Sequence, residues 1–419
     1  CDRMMINGAE QPLNETALND IQKRFAAWSD QGIRVLGVAQ KNMPEQPSYT
    51  RADESGMVFV GFLLFLDPPK ADVQQTIADL AKLGVSLRII TGDNRLAARH
   101  VAESVGIEVT NILTGAELGK LTDEALWKKI ESTNLFAEVD PNQKERIILA
   151  LKKNKHVVGY MGDGINDAPA LHAADVSISV NTAVDVAKEA ADFVLMESGL
   201  NVLKRGIELG RTTFANTIKY ILITTSANFG NMFSMAGASL FMPFLPLLPK
   251  QILLINFLTD FPAITIANDA ADAEEMQQPR RWDTGLIQRF MFTFGLISSV
   301  FDYLTFAVLL LGFHTPEELF QSGWFVLSVV TELLTLLVVR TRKPFFKSHP
   351  APLLLYSTLG VGAFTLLLPF LPVQALLNIT PIPLPLMLSL LGIAALYIVA
   401  IEIGKHFFYR NERKRSLPR

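Results

Sequence analysis

A run of eleven residues, MGDGINDAPAL from Met161 to Leu171, carries the side chains best suited to chemistry. Asp163 and Asp167 lie four residues apart in it, with Asn166 between them. The apolar run before it predicts a buried strand, and the two glycines allow a tight turn. Both carboxylates would then lie at the carboxyl end of a strand, where an open α/β sheet binds its ligand. Such hard oxygens suit Mg²⁺, which favours one or two carboxylates together with phosphate oxygens.

Two further strings with chemical side chains precede this run, each at a predicted helix start. The first, Thr91-Gly92-Asp93-Asn94, follows a predicted helix over 71–83 and a predicted strand over 85–90. The second, PNQKER, predicts a helix that begins at Pro141 and carries Lys144. Backbone amides at a helix start attract anions, and a nearby lysine can stabilise negative charge. The alternation of strands and helices predicts a parallel sheet that brings these strings to one edge.

The string MGDGINDAPAL resembles the hinge signature of the P-type cation-transporting ATPases, a branch of the haloacid dehalogenase superfamily. TGDN and the lysine of PNQKER resemble two further motifs of that family, in the same chain order. Each short motif alone has a plainer interpretation, as a helix N-cap or a surface lysine. The resemblance implies a phosphoryl-transfer site with catalytic residues Thr91, Gly92, Asp93, Lys144 and Asn166, and with Asp163 and Asp167 as ligands of a catalytic Mg²⁺.

The first 58 residues contain a second feature of this family. A helix is predicted over 18–28 and a strand over 32–40, whose sequence is GIRVLGVAQ. A similar strand closes the nucleotide-binding domain of P-type pumps, so the resemblance implies that Arg34 contacts the ATP phosphates. An exposed strand arginine is the alternative. Glu138 departs from the family pattern, because several relatives carry an arginine there beside the nucleotide.

The family's aspartyl nucleophile, in a DKTGT string, does not occur in this sequence. Without it no phosphoenzyme can form. We therefore expect the chain to be the carboxyl-terminal part of a longer protein and to be inactive alone.

Composition separates a polar first half from an apolar second half. Hydrophobic residues make up 49% of the 419 residues, and the mean hydropathy is +0.27. The net charge of −3 gives no indication of nucleic-acid binding. The one cysteine, Cys1, excludes an internal disulfide and indicates a reducing compartment for the soluble part.

The second half predicts a membrane domain. A polar stalk helix over 203–219 precedes a stretch without charge between Lys219 and Lys250. Six spans of bilayer length are predicted at 220–241, 251–269, 290–313, 322–339, 353–372 and 384–403. Basic residues, among them Arg280 and Arg281, cluster in the loops and tail on the starting side, whereas the opposite loops hold only Lys250. The positive-inside rule thus predicts that the soluble part and the carboxyl terminus of this multi-pass protein lie in the cytoplasm, and the family resemblance implies the plasma membrane.

Charged and amide side chains inside the predicted spans are candidates for a transport site. Asp260 shares a helix face with Asn256 and Thr259, because their spacing is i, i+3 and i+4. Their oxygens suit Mg²⁺ or Ca²⁺, although helix–helix hydrogen bonding is the alternative for the neutral residues. We expect the transported cation at Asn228, Asn231, Asn256, Thr259 and Asp260, with Glu332 as a weaker candidate. Asp302, the third acid within a span, is expected to pair with a neighbouring span.

Resemblance to two subfamilies of pumps bears on the choice between Mg²⁺ and Ca²⁺. The string ANFGNMF over 227–233 and the stretch over 281–345 look like the bacterial magnesium-transporting P-type pumps. The string NFLTD over 256–260 is similar to the calcium pumps' ion-binding string, but those pumps carry Glu where Asn231 stands. This difference favours Mg²⁺.

We therefore expect an α/β haloacid-dehalogenase-like domain with a Rossmann-like parallel sheet over 59–202. A remnant of a nucleotide-binding domain precedes it over 1–58, and the stalk and a six-span helical bundle follow over 203–419. The expected function is ATP-driven transport of a divalent cation, first Mg²⁺, through an aspartyl phosphate. Its cofactors are Mg²⁺ and ATP, and its partners are the cation and the bilayer. A calcium pump and a non-catalytic membrane protein that keeps the fold are the alternatives, whereas the spans exclude a soluble sugar-phosphate phosphatase.

Overall fold

The computed structural model describes residues 1–45, 48–66, 68–70, 72–197, 199–272, 276 and 282–416. These residues form two compact units, Cys1–Gly206 and Ile207–Arg419. The finer division predicted at residues 58 and 202 stays a prediction. Arg280 and Arg281, which entered the orientation argument, lie outside the described residues.

The first unit begins with a mixed four-stranded sheet and one long helix. Its elements are β1 (Arg3–Ile6), β2 (Ala9–Pro12), α1 (Glu15–Asp30), β3 (Arg34–Gln40) and β4 (Val58–Phe65), and the strand order is β2-β1-β4-β3. Strand β4 pairs antiparallel with β3 and parallel with β1. The apolar run predicted to open the second domain therefore lies in the same sheet as the strand of Arg34.

Two parallel three-stranded sheets follow, and their strands alternate with helices. One sheet has the order β5-β7-β6, with β5 (Ile89–Ile90), β6 (Ile112–Thr114) and β7 (Leu135–Ala137). The other has the order β8-β9-β10, with β8 (Gly159–Met161), β9 (Val176–Val180) and β10 (Phe193–Leu195). The helices are α2 (Val73–Lys82), α3 (Arg95–Ser104), α4 (Gly115–Leu118), α5 (Asp123–Lys129), α6 (Pro141–Lys153), α7 (Ala168–Ala173) and α8 (Asp185–Glu189).

The predicted parallel α/β architecture is confirmed, with two differences in detail. The strands predicted over 85–90 and before Met161 are shorter, because only their last two or three residues pair with a neighbour. The strands also form two sheets and not one continuous sheet. Both sheets nevertheless pack on one core, in which Phe136 of β7 and Tyr160 of β8 are buried together with Ile147 of α6. This shared core fixes the loops at the strand ends.

The second unit is helical. The 39-residue helix α9 (Leu200–Ala238) leads into it. Further α-helices in the described part of this unit are α10 (Pro249–Ile264), α11 (Thr284–Ala307), α12 (Glu317–Val339), α13 (Pro352–Leu367), α14 (Gln374–Leu377) and α15 (Leu384–Ser416). Helix α10 continues through Pro262 to Ile264.

Five helical segments among the described residues are long and apolar enough to cross a membrane. They are Pro249–Asn268, Thr284–Gly312, Glu317–Val339, Pro352–Phe370 and Leu384–Arg415, and they match five of the six predicted spans. The other predicted span, 220–241, lies almost wholly within α9. Its two asparagines, with several Ser and Thr residues, reduce its hydropathy, and this span stays a prediction.

Two buried acids join helices of the second unit. Asp302 of α11 accepts hydrogen bonds from the Ser234 hydroxyl of α9 at 2.6 Å and the Trp324 indole of α12 at 2.9 Å. It therefore pairs with neighbouring helices, as expected. Asp269, after α10, lies between Lys219 Nζ at 3.2 Å and Arg340 Nη1 at 3.1 Å. All three side chains of this second cluster are almost completely buried.

Candidate functional site

Asp167 is buried in the centre of the loop that follows β8. Its Oδ1 accepts hydrogen bonds from Lys144 Nζ and the Tyr160 hydroxyl, each at 2.7 Å. Its Oδ2 accepts from the backbone amides of Asp163 at 3.2 Å and Gly164 at 3.0 Å. Four donors fill the acceptor positions of a carboxylate. Asp167 therefore orders its own loop and fixes Lys144 there.

The electrostatics of Asp167 follow from these donors. Burial alone would raise the pKa of its carboxyl, but hydrogen bonds from Lys144, Tyr160 and the Gly164 amide outweigh burial and lower that pKa. Burial, and then the bond to Asp167, raises the pKa of the Tyr160 hydroxyl. At neutral pH Asp167 is thus a charged carboxylate, and the Tyr160 hydroxyl is a neutral donor.

The glycines of the motif have a steric role in this loop. A Cβ added to Gly162 would lie 2.5 Å from the Cβ of Asp167. No side chain fits between the strand end and the buried carboxylate, so the turn requires glycine at this position.

Asp163 and Asn166 lie on the exposed side of the same loop. Among the described residues no side-chain hydrogen bond or ion pair engages the Asp163 carboxylate, while its backbone oxygen accepts from the Val184 amide at 3.1 Å. This carboxylate fits a hard cation such as Mg²⁺. Asp167 could serve as a second ligand only by releasing one of its donors, and the ligand roles of both Asp163 and Asp167 stay predictions.

The described part of the chain gathers no group of three or more His, Cys, Asp and Glu side chains that could hold a metal. A Mg²⁺ site at Asp163 would therefore take its remaining ligands from water and phosphate, as Mg²⁺ commonly does.

The Thr91 loop follows β5 and closes on itself. The Thr91 hydroxyl donates to Asp93 Oδ2 at 3.1 Å and accepts from the Asp93 amide at 3.0 Å. Asn94 Oδ1 caps α3 by accepting from the Leu96 amide at 2.8 Å. Gly92, at the top of the turn, is exposed. The loop thus presents backbone and a hydroxyl at a helix start, which suits an anion.

Arg34 reaches this loop from β3. Its Nε lies 3.7 Å from Asp93 Oδ1, and 70% of its side chain is exposed. The structure therefore brings the predicted ATP contact beside the predicted phosphoryl-binding loop. An exposed guanidinium there remains available to a phosphate.

One segment touches both loops of the site. Val139, just after β7, donates its amide to the Thr91 carbonyl at 3.2 Å. Lys144, one turn into α6, makes the bond to Asp167. Helix α6 begins as predicted at Pro141, with Asp140 as its N-cap and Gln143 completing a capping box. The cap fixes where Lys144 projects.

In the second unit Glu332 is the centre of the polar groups. Its carboxyl interacts with the Thr259 hydroxyl and the Asp260 carboxylate of α10. Together with Asn231 of α9 it lines a small cavity between helices. Asn231 and Thr259 are thereby brought near Glu332, whereas Asp260 is exposed and does not line this cavity. Asn228 and Asn256 lie on exposed faces and do not line this cavity.

Sequence reasoning missed the hydroxyl groups of this cavity, which are Ser226, Ser298, Ser328, Thr331, Thr335 and Tyr397. The Tyr397 hydroxyl lies 3.0 Å from Thr335 Oγ1. Ser328 Oγ and Glu332 Oε2 are buried and have no hydrogen-bond partner among the residues that the structure describes. Buried polar atoms normally have partners, so these two oxygens point to a bound water or cation. The i, i+4 spacing of Ser328 and Glu332 in the sequence could have predicted that both lie on one face of α12.

Comparisons with known proteins match a different family description to most of each unit. Residues 244–407 match the family described as "Cation transporting ATPase, C-terminus", and residues 10–175 match the haloacid dehalogenase-like hydrolases. The "Magnesium-transporting ATPase, P-type 1" of Escherichia coli strain K12 is 42% identical over 417 residues, which are 98% of this chain and 46% of that protein. A protein of the same name from Salmonella typhimurium strain LT2 is 38% identical over 95% of the chain and 45% of its own length.

A calcium pump is also similar, over a shorter range. The "Calcium-transporting ATPase 1" of Bacillus cereus is 34% identical over 285 residues, 67% of this chain and 32% of that protein. The chain spans about half the length of the magnesium-transporting relatives that it matches. Two matching family descriptions, together with identity along nearly the whole chain, place it in the family of P-type cation-transporting ATPases.

Proposed function

We propose that this chain is part of a longer ATP-driven pump that moves a divalent cation, most suitably Mg²⁺, across the plasma membrane through an aspartyl phosphate. The observation that carries the proposal is the loop after β8. It combines an exposed Asp163 carboxylate with a Lys144 ammonium group that Asp167 holds in place. The 42% identity to a magnesium-transporting P-type ATPase supports the same assignment.

In the proposed mechanism, the first unit carries out phosphoryl transfer. The nucleophile would come from a part of the protein outside this chain, since no DKTGT string occurs in it. The Thr91 hydroxyl and the exposed Gly92 backbone hold the transferred group, and Arg34 contacts the nucleotide phosphates. Lys144 stabilises the negative charge of the transition state. Asp163 would hold Mg²⁺, and the charge of that ion would offset the negative charge of the phosphate oxygens.

The second unit holds the transported cation in this proposal. Glu332 and Asp260 supply charge, and Asn231 and Thr259 supply neutral oxygens. These ligands are hard and suit both Mg²⁺ and Ca²⁺. The preference for Mg²⁺ rests on Asn231, which stands where calcium pumps carry Glu, and on the magnesium-transporting relatives.

Asn228, Asn256 and Asp260 are exposed and do not line the Glu332 cavity. They are available to spans outside this chain, which would complete the site. The basic loops and tail support a cytoplasmic position for the soluble unit.

The experiment that tests the function is transport by the longer protein in proteoliposomes. ATP-dependent movement of Mg²⁺ should exceed movement of Ca²⁺ and should vanish in an Asp163→Asn variant. The exposed α1 variant Asp20→Asn is the matched control and should transport normally. Selective Ca²⁺ transport would replace the magnesium assignment by a calcium one. Absence of ATP-driven transport of either cation would support the non-catalytic alternative.

A further inference from the structure

Glu138 has an unusual backbone conformation directly after β7. Its φ is +57°, in the left-handed region that a residue with a side chain seldom adopts. Such residues persist where surrounding contacts determine the backbone, and they concentrate at functional sites.

Glu138 holds the Thr91 loop at two points. Its amide donates to the Asp93 carbonyl at 3.0 Å, and its Oε1 accepts from the Arg95 amide at 3.1 Å. Arg95 is the first residue of α3, so this amide has no partner within the helix. Asn94 satisfies the next free amide, that of Leu96. Two side chains from different elements thus share the capping of α3.

The other side of Glu138 packs against α4. A Cβ added to Gly115, the first residue of α4, would lie 2.2 Å from the Glu138 carbonyl oxygen. Gln143 Nε2 donates to the Gly115 carbonyl at 2.9 Å, which fixes the start of α4 against α6. The peptide of Glu138 is therefore held between the Thr91 loop and a glycine that leaves no spare room.

We propose that Glu138 is a positioning residue, which sets the conformation of the Thr91–Arg95 loop. It thereby holds Thr91 and Gly92 where the proposed function, on which this inference rests, places the phosphoryl group. An arginine at this position has only donors and could not accept the Arg95 bond.

Hydrogen exchange of the loop amides in this chain tests the positioning role without any catalysis. Glu138→Ala should speed exchange at Arg95 by about tenfold or more, since it removes a hydrogen bond to a charged acceptor. Glu138→Gln keeps an acceptor oxygen at the same reach and should stay within about threefold of the unchanged protein. The matched control is Glu103→Ala, because Glu103 is an exposed acid on α3, the helix that begins at Arg95. Unchanged exchange in Glu138→Ala, or equal effects of Ala and Gln, would overturn the proposal.

Gly115→Ala provides a second, independent perturbation. The added methyl group must displace the Glu138 carbonyl, so the same loop amides should exchange faster while the Glu138 side chain is intact. Normal loop exchange in this variant would show that the packing against α4 does not determine the loop, and would overturn the argument for a fixed peptide.

Phosphorylation of the longer protein by inorganic phosphate separates this inference from the proposed function. Glu138→Ala should raise the half-saturating phosphate concentration about tenfold and leave the KM for ATP unchanged, whereas Glu138→Gln should behave normally. A changed KM for ATP with normal use of phosphate would make Glu138 a nucleotide contact and overturn its positioning role. A loosened loop with normal phosphorylation would instead refute the proposed role of Thr91 and Gly92.

Discussion

Replacing Asp167 by asparagine removes the charge that holds Lys144 inside the first unit. The side chains of this pair are only 11% and 13% exposed, and their atoms are 2.7 Å apart. Removal of one partner of a buried ion pair commonly costs about 3–5 kcal/mol, because the other charge remains buried and unpaired. Asparagine also places an NH₂ group, which can only donate, among the four donors that surround this carboxylate, so some of them lose their acceptor. We therefore expect Asp167→Asn to lower the free energy of unfolding by about 4 kcal/mol.

Lys144→Met separates the ion pair from the other bonds. Asp167 then keeps the Tyr160 hydroxyl and two amides, so the loss should be smaller, about 1–3 kcal/mol. The double variant should lose less than the sum of the single variants, with a coupling of about 1–3 kcal/mol, because the two residues share one interaction. Additive losses would show that the pair is not coupled in solution.

The pH dependence has a definite sign. The pKa of Asp167 is lowered in the folded state, so its contribution to stability is fully present above its ordinary pKa of about 3.9. That contribution is lost as pH falls through the lowered, folded-state pKa. The stability difference between the unchanged protein and Asp167→Asn should therefore be constant from about pH 5 to pH 8 and shrink below about pH 4.

The assay is a urea titration of the whole chain, with hydrogen exchange of peptides from β8 and α6 as the readout. Glu10→Gln is the control, because its pair with Arg3 is equally short at 2.6 Å but 41% and 55% exposed. This change should cost less than about 1 kcal/mol. If Asp167→Asn cost no more than the control, the buried pair would not be the element that orders the site.

Two further changes test other parts of the account. Asp269→Asn leaves Lys219 and Arg340 buried without their shared acid. The midpoint temperature of thermal unfolding of the helical unit, measured in detergent by circular dichroism, should therefore fall by several degrees. An unchanged midpoint would contradict the structural role of this cluster. This chain alone should bind Mg²⁺ weakly and hydrolyse no ATP, and calorimetry should show that Asp163→Asn, unlike Asp20→Asn, removes the binding. Steady ATP hydrolysis by the purified chain would contradict the need for a nucleophile from outside it.

Much of the first unit could be predicted because its signals are local. Pro141, with a capping acid before it and Gln143 after it, marks the start of α6 within the sequence itself. The partners of Asp167 are different, because Tyr160 and Lys144 reach it only after β8 and α6 pack together. The string therefore indicated two metal ligands, but it could not show that one carboxylate is exposed and the other accepts four hydrogen bonds.

The lengths of the strands and the backbone conformation of Glu138 also depend on tertiary packing. An apolar run such as 85–90 shows that a segment is buried, but pairing depends on which neighbour lies beside it. The left-handed backbone of Glu138 has no signature in the residue type, since glycine or asparagine would be the expected occupant. Only Gly115, whose missing side chain makes room for the Glu138 carbonyl, points to it.

In the membrane unit, charges were visible in the sequence but hydroxyl groups were not. Acids stand out in an apolar span, so Asp260, Asp302 and Glu332 could be singled out. Serine, threonine and tyrosine are common in helices and usually bond their own backbone. That Tyr397 and Ser328 line one cavity with Glu332 follows from the packing of several helices. The role of Asp302 likewise depended on its distance from Trp324.

The central claim joins a phosphoryl-transfer unit to a cation site at Asp260 and Glu332. The most direct measurement compares Mg²⁺ transport with phosphorylation by inorganic phosphate, on the same preparations of the longer protein carrying Asp260→Asn or Asp302→Asn. Asp260→Asn should reduce transport about tenfold or more and leave phosphorylation intact, because it removes only a charge at the cation site. Asp302→Asn should be milder, since Ser234 and Trp324 already satisfy that acid. Normal transport by Asp260→Asn, with transport lost in Asp302→Asn, would place the cation elsewhere and contradict the account.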